Sequence, residues 1–117
     1  MSQIVNTATK VFTAGAAIGQ YILVKLVSGK TQIAGLGDEP VGTMEAASFA
    51  DGDARAVRLL SAQGTLKCVA NGAFAQGAVV YGTAGGKIDD VAAGAVRIGI
   101  ALEAAAAAGD VVEVMPG

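Results

Sequence analysis

The carboxylates are the only side chains grouped closely enough in this sequence to suggest chemistry. They fall as Asp38 with Glu39, Asp51 with Asp53, and Asp89 with Asp90. Two acids side by side can share a proton or hold a hard cation. Asp51-Gly52-Asp53, however, continues into Ala54 and Arg55 rather than into further oxygen ligands. Turn-forming, solvated aspartates are therefore the expected reading of all three groups. An enzymatic role for Asp89 and Asp90 would require a buried, strongly perturbed pair in a concave pocket.

No other constellation stands beside them. Histidine is absent, which removes the commonest acid/base group and the commonest metal ligand together. Ser2, Ser28, Ser48 and Ser61 thus lack an activating imidazole, and none has a lysine three residues on. Cys68 is the single cysteine, so no disulfide or cysteine-based zinc site can form within the chain. Alternation over 65–70 puts Cys68 on one face with Leu66 and Ala70, the setting of a small core residue rather than a nucleophile. Gly29-Lys30-Thr31 resembles the end of a phosphate loop, but Val24 stands where the first glycine belongs. In 82–87, Tyr81 occupies that glycine position and Ile88 replaces the hydroxyl residue, while 35–40 begins like a dinucleotide fingerprint and has Pro40 at its third glycine. No catalytic, cofactor-binding or metal-binding residues are expected, and the chain reads as a non-enzyme.

Charge and hydropathy narrow the partners. Eight basic against ten acidic residues give a net charge of −2, which supplies no counterion-release term for a nucleic acid. No run of 18 apolar residues occurs, so no membrane-spanning helix is expected. The first ten residues lack the basic and apolar segments of a signal peptide, which points to a protein made and kept in a cytoplasm or in something assembled there.

The elements that would carry these residues are short strands. Residues 21–27 alternate, with Ile22, Val24 and Leu26 on one face and Lys25 on the other, and Ser28-Gly29 reverses the chain into 31–34. Further strands are predicted over 41–46, 54–60, 65–70, 78–81, 88–91, 97–102 and 111–115, with Asn71-Gly72 the strongest short turn signal and Pro116 the end of pairing. Val57 and Leu60 fall on opposite parities of one run, as in a bulged strand or one packed on both faces. Residues 12–19 read as a glycine-punctuated turn, and 103–108, although rich in alanine, as one helical turn at most. Residues 1–11 suit either an extended arm or an edge strand, before a single β domain over 12–117.

Landmarks also repeat. Gly29-Lys30, Gly37, Val41-Gly42 and Gly52-Asp53 recur 57 positions later as Gly86-Lys87, Gly94, Ile98-Gly99 and Gly109-Asp110. Glu45 and Glu103 break the offset by one, which suggests a compensating bulge. A duplicated β unit is predicted, folded as a compact barrel or sandwich of short strands.

The stretch 74–81, FAQGAVVY, the Gly86-Lys87 hairpin and the run 98–117, IGIALEAAAAAGDVVEVMPG, resemble the tailed-phage family of capsid cement, or head decoration, proteins. The likeness is dense from Phe74 onward and loose over 18–69. It implies a mainly β structural virion protein, a compact β-barrel or tulip-like domain with an extended N-terminal arm and without catalytic residues. It also implies binding to the outer surface of the phage head as a homotrimer that stabilises the lattice, after synthesis in the host cytoplasm. The partners are then the major capsid protein and further copies of the chain. The arm residues Ser2, Gln3, Ile4, Val5 and Asn6 become candidate capsid contacts, and Phe12, Phe49 and Phe74 candidate subunit-interface anchors. The rival reading is a β module in another phage assembly, such as a tail or baseplate.

Overall fold

The computed structural model describes residues 9–60 and 64–117. Ten strands follow one another: β1 (Thr9–Ala14), β2 (Leu23–Val27), β3 (Lys30–Ile33), β4 (Gly42–Met44), β5 (Ala54–Leu59), β6 (Leu66–Val69), β7 (Val79–Gly82), β8 (Ile88–Asp89), β9 (Arg97–Ala101) and β10 (Val111–Pro116). The first five close into a barrel in the order β1-β3-β2-β4-β5, with β5 returning to β1. The last five form a sheet in the order β6-β10-β9-β7-β8, and a parallel bridge from Ala70 to Ile88 draws its two ends together.

The two sheets are one design used twice. β1 runs parallel to β3 at Ala14–Thr31, and Ala70 pairs in parallel with Ile88. Ile18 bridges Ser48 in the first half, and Phe74 bridges Ala105 in the second. Gly52-Asp53 and Gly109-Asp110 make the same turn. Each glycine has a positive φ, +100° and +95°, and each aspartate accepts two backbone N–H bonds, Asp53 from Phe49 and Ala50 and Asp110 from Ala106 and Ala107. The predicted duplication is thus present in the hydrogen bonding.

The offset changes elsewhere than expected. Glu45 N–H donates to Ala56 O, and the matching bond runs from Leu102 N–H to Glu113 O. The counterpart of Glu45 is therefore Leu102, not Glu103, and no compensating bulge occurs there. The extra residue enters at the second hairpin. Ser28 and Gly29, both at positive φ, turn β2 into β3 in two residues, whereas Thr83–Lys87 spans the β7–β8 turn around a short 3-10 segment.

Several local readings need adjustment. Phe12, Thr13 and Ala14 belong to β1, so the chain turns only from Gly15; Thr9, Lys10 and Val11 also lie in β1, while 1–8 fall outside the described residues. Gly72 does not take a positive φ, and β6 pairs with β10 instead of with the strand that follows it, so Asn71-Gly72 closes no hairpin. The ladder also passes Pro116, since Gly117 N–H donates to Ile98 O at 3.1 Å. In the alanine run, Ala105 N–H is committed to Phe74 O and the next two N–H groups to Asp110, which leaves no helical hydrogen bonding.

Two apolar clusters hold the halves. Ile18, Ile22, Val24, Met44 and Val57 fill the first. The second, around Cys68, Phe74, Val80, Ile88, Ile98, Val112 and Val114, also takes Leu23 and Ala34 from the first half. The start of β2 is accordingly buried on both faces, Val24 in the first cluster and Leu23 in the second, while Leu26 and Val27 at its end are exposed. Leu60 packs on the second cluster while Val57 lies in the first, which accounts for their opposite parities.

Candidate functional site

The acidic groups are spread over the fold. Asp38 accepts from Lys25 Nζ at 2.7 Å and from Gly35 N–H at 2.8 Å, and these bonds hold its carboxyl below the usual carboxylate range. Asp53 is lowered by the N–H groups of Phe49 and Ala50, with a smaller contribution from Arg55, and Asp51 pairs with Lys30 at 2.7 Å. Asp89 is partly desolvated, which works to raise it, but bonds from Asn71 and from Asp90 N–H prevail and leave it lowered. Asp89 is only half-buried and Asp90 is exposed, so the two are not the buried pair that an enzymatic role would require. Among the described residues no three of Cys, Asp and Glu gather to hold a metal ion. Cys68 is buried, and its thiol is pushed up to about 12 by that burial, so it is inert as a nucleophile.

The interface candidates have distinct settings. Phe74, 6% exposed, belongs to the second core, and Phe12 packs against the first with Lys10 Nζ 6.0 Å from its ring. Phe49 is 77% exposed, with the Arg55 guanidinium 5.9 Å from its ring. Of the three, only Phe49 is exposed. Ser2, Gln3, Ile4, Val5 and Asn6 lie outside the described residues.

Two concave regions are lined by residues from both halves. A cleft of about 370 Å³ is walled by Tyr21, Glu45, Arg58, Lys67 and Glu113. Lys67 Nζ stands 5.6 Å from the Tyr21 ring, and Arg58 Nε donates to Thr65 O. Tyr21 holds φ +63°, and Gly77 holds φ +87° at the matching place in the second half. The second region, about 310 Å³, is an apolar groove between Leu36 and Val91. Sequence reasoning missed Leu36 and Val91, and it took Tyr21 as a possible interface anchor without its place at the junction of the halves. A tyrosine where the sister copy has a positive-φ glycine was the one available signal, and it needed the register between copies.

A family model described as phage cement protein matches residues 2–116. The chain belongs to the phage cement protein family. Comparison with curated proteins finds no match. Membership covers almost the whole sequence, the loosely similar first half included, and gives this cement protein a structural role associated with the phage capsid. That family is a structural one. No helix among the described residues of the cement protein is long and apolar enough to cross a membrane.

Proposed function

We propose that this cement protein binds the outer surface of the phage head as a homotrimer and, by holding the major capsid protein, stabilises the lattice. The family match over residues 2–116 carries this reading. Copies would be made in the host cytoplasm and join the head there. A body measuring 42 × 27 × 23 Å is small enough to sit over one junction between capsid subunits. Three linked copies each need only modest contacts, because the second and third bind at high effective concentration. Phe49, exposed and flanked by Arg55, is the anchor we assign to the contact between copies. Residues Ser2 to Asn6 remain the arm we assign to the capsid.

The test is sedimentation of the purified protein alone and with undecorated, expanded heads, followed by heating of the heads. A trimeric mass, saturable binding and heads that rupture at a higher temperature are expected, since a ligand that binds only the intact lattice shifts it away from rupture. A protein that neither binds the heads nor changes their rupture temperature refutes the role.

A further inference from the structure

Most acidic charge on the described chain is matched within the fold. Asp38, Asp51 and Asp53 pair with Lys25, Lys30 and Arg55, and Asp110 is committed to backbone N–H groups. Asp89 and Asp90 are among the acids with which no lysine or arginine pairs among the described residues. Asp89 is nonetheless fixed in place, receiving Asn71 Nδ2 at 3.2 Å and Asp90 N–H at 2.7 Å.

Asp89 lines the apolar groove, and the exposed Asp90 follows it in the chain. Leu36 comes from the β3–β4 loop of the first half and Val91 from the β8–β9 loop of the second, each 58% exposed, with Ala84, Ala93 and Thr83 completing the lining beside Asn71 and Asp89. The two loops abut: a Cβ added to Gly37 would lie only 3.2 Å from Gly94 O. The groove therefore keeps its shape as long as the halves stay packed. Two large aliphatic side chains facing water beside unpaired negative charge complement one kind of partner, a chain that carries an apolar group next to a cation.

Resting on the capsid role proposed above, we infer that this groove seats a segment of the major capsid protein in which an apolar side chain adjoins a lysine or arginine. The apolar side chain lies between Leu36 and Val91, where its burial lengthens the bound lifetime. The cation meets Asp89 and Asp90 at the rim, where charge steers encounter and makes binding sensitive to salt.

Binding to undecorated, expanded heads is measured for the wild type, Val91→Ser, Asp90→Lys and, as a control on another part of the surface, Val111→Ser. All three substituted positions are exposed, and unchanged melting temperatures establish that the variants fold. Val91→Ser is expected to weaken binding about tenfold at every salt concentration. Asp90→Lys is expected to weaken it by a similar factor at low salt, with the loss shrinking at high salt. Val111→Ser should bind as the wild type does. Wild-type binding with both groove variants unaffected overturns the groove assignment and leaves the capsid role standing. Loss in only one of the two overturns the paired apolar and basic chemistry, and an equal loss in Val111→Ser overturns the location. Failure of the wild type to bind removes the capsid role and the groove assignment together.

Discussion

Replacing Gly99 by alanine should cost far more than its single methyl suggests. Gly99 on β9 faces Pro116 on β10, and its φ is not positive, so no left-handed strain is involved. The obstacle is space. An added Cβ would lie 2.8 Å from the carbonyl carbon of Met115 and 2.9 Å from Pro116 Cα, overlapping the Met115 carbonyl oxygen. Carbon atoms in contact prefer about 3.5–4.0 Å, so β9 and β10 must part by roughly 1 Å. Both neighbours are backbone, and no rotamer change relieves the overlap. Parting them weakens the Gly117–Ile98 bond of 3.1 Å and the adjoining ladder, at about 1 kcal/mol for each bond lost. It also disturbs Ile98, Ala101 and Val114 in the second core, for which overpacking costs about 1–3 kcal/mol. The sum is about 2–4 kcal/mol, a large share of the 5–15 kcal/mol typical of a domain. With a urea m-value of about 2 kcal/mol/M, the middle of the usual range, the unfolding midpoint should fall by roughly 1–2 M. Gly42 is the duplicate position, where the added Cβ would overlap Arg58 O and lie 2.8 Å from its carbonyl carbon, so Gly42→Ala should lose a similar amount. Gly72→Ala is the control, because its Cβ would meet only Asp89 Oδ2, at an ordinary 3.6 Å. A Gly99→Ala midpoint equal to that of Gly72→Ala would refute the reasoning.

Thr31 is 1% exposed, and its Oγ1 has no hydrogen-bond partner; the second half has Ile88 at the matching place. Thr31→Val should therefore raise stability by about 1 kcal/mol by removing an unpaired buried hydroxyl, seen as a higher melting temperature, and a lower one would show that the hydroxyl is satisfied. Asp38 and Asp53 both have folded-state values lowered below the ordinary 3.8, by Lys25 and Gly35 in one case and by Phe49 and Ala50 in the other. Their contribution is present in full above the unfolded value and is lost as pH falls through the lower folded value. Unfolding midpoints should thus decline in acid below about pH 4, and Asp53→Asn should show a shallower decline than the wild type; an identical slope would remove Asp53 from the account.

The strands were legible because their signals are local. Alternation along 65–70 correctly put Leu66, Cys68 and Ala70 inside, and Ser28-Gly29 carried its own turn chemistry. Pairing was not legible, because β6 joins β10 across more than forty residues and the strand that follows β6 passes it by. Asn71-Gly72 misled for that reason: a turn signal says that the chain bends, not which strand it will lie beside. The Leu36–Val91 groove was hidden similarly, since its walls come from loops in different halves. Leu36 and Val91 each look like an unremarkable aliphatic in a polar loop until the fold brings them together.

Divergence between the copies locates where the first half took on work that the second does not do. Ser48 accepts Ile18 N–H at 3.0 Å and donates to Ala16 O at 2.8 Å, whereas its counterpart Ala105 makes only the backbone bridge. Leu23 leaves its own barrel for the second core, and the matching Val79 is only partly buried. Tyr21 is the clearest case. A non-glycine residue in the left-handed region costs about 1–2 kcal/mol, and the same backbone position in the second half uses glycine, which carries no such cost. The tyrosine ring lies under Lys67 of the second half, a contact worth about 0.5–1 kcal/mol where exposed and more where desolvated. Strain at Tyr21 is thus offset in part by a cation–π contact across the junction, and Leu23 two residues later anchors the same junction from inside. The halves consequently hold one fixed relation, and the groove between Leu36 and Val91 depends on it. The two copies of the unit thus differ at 21–23, where Tyr21 and Leu23 join the first half to the second.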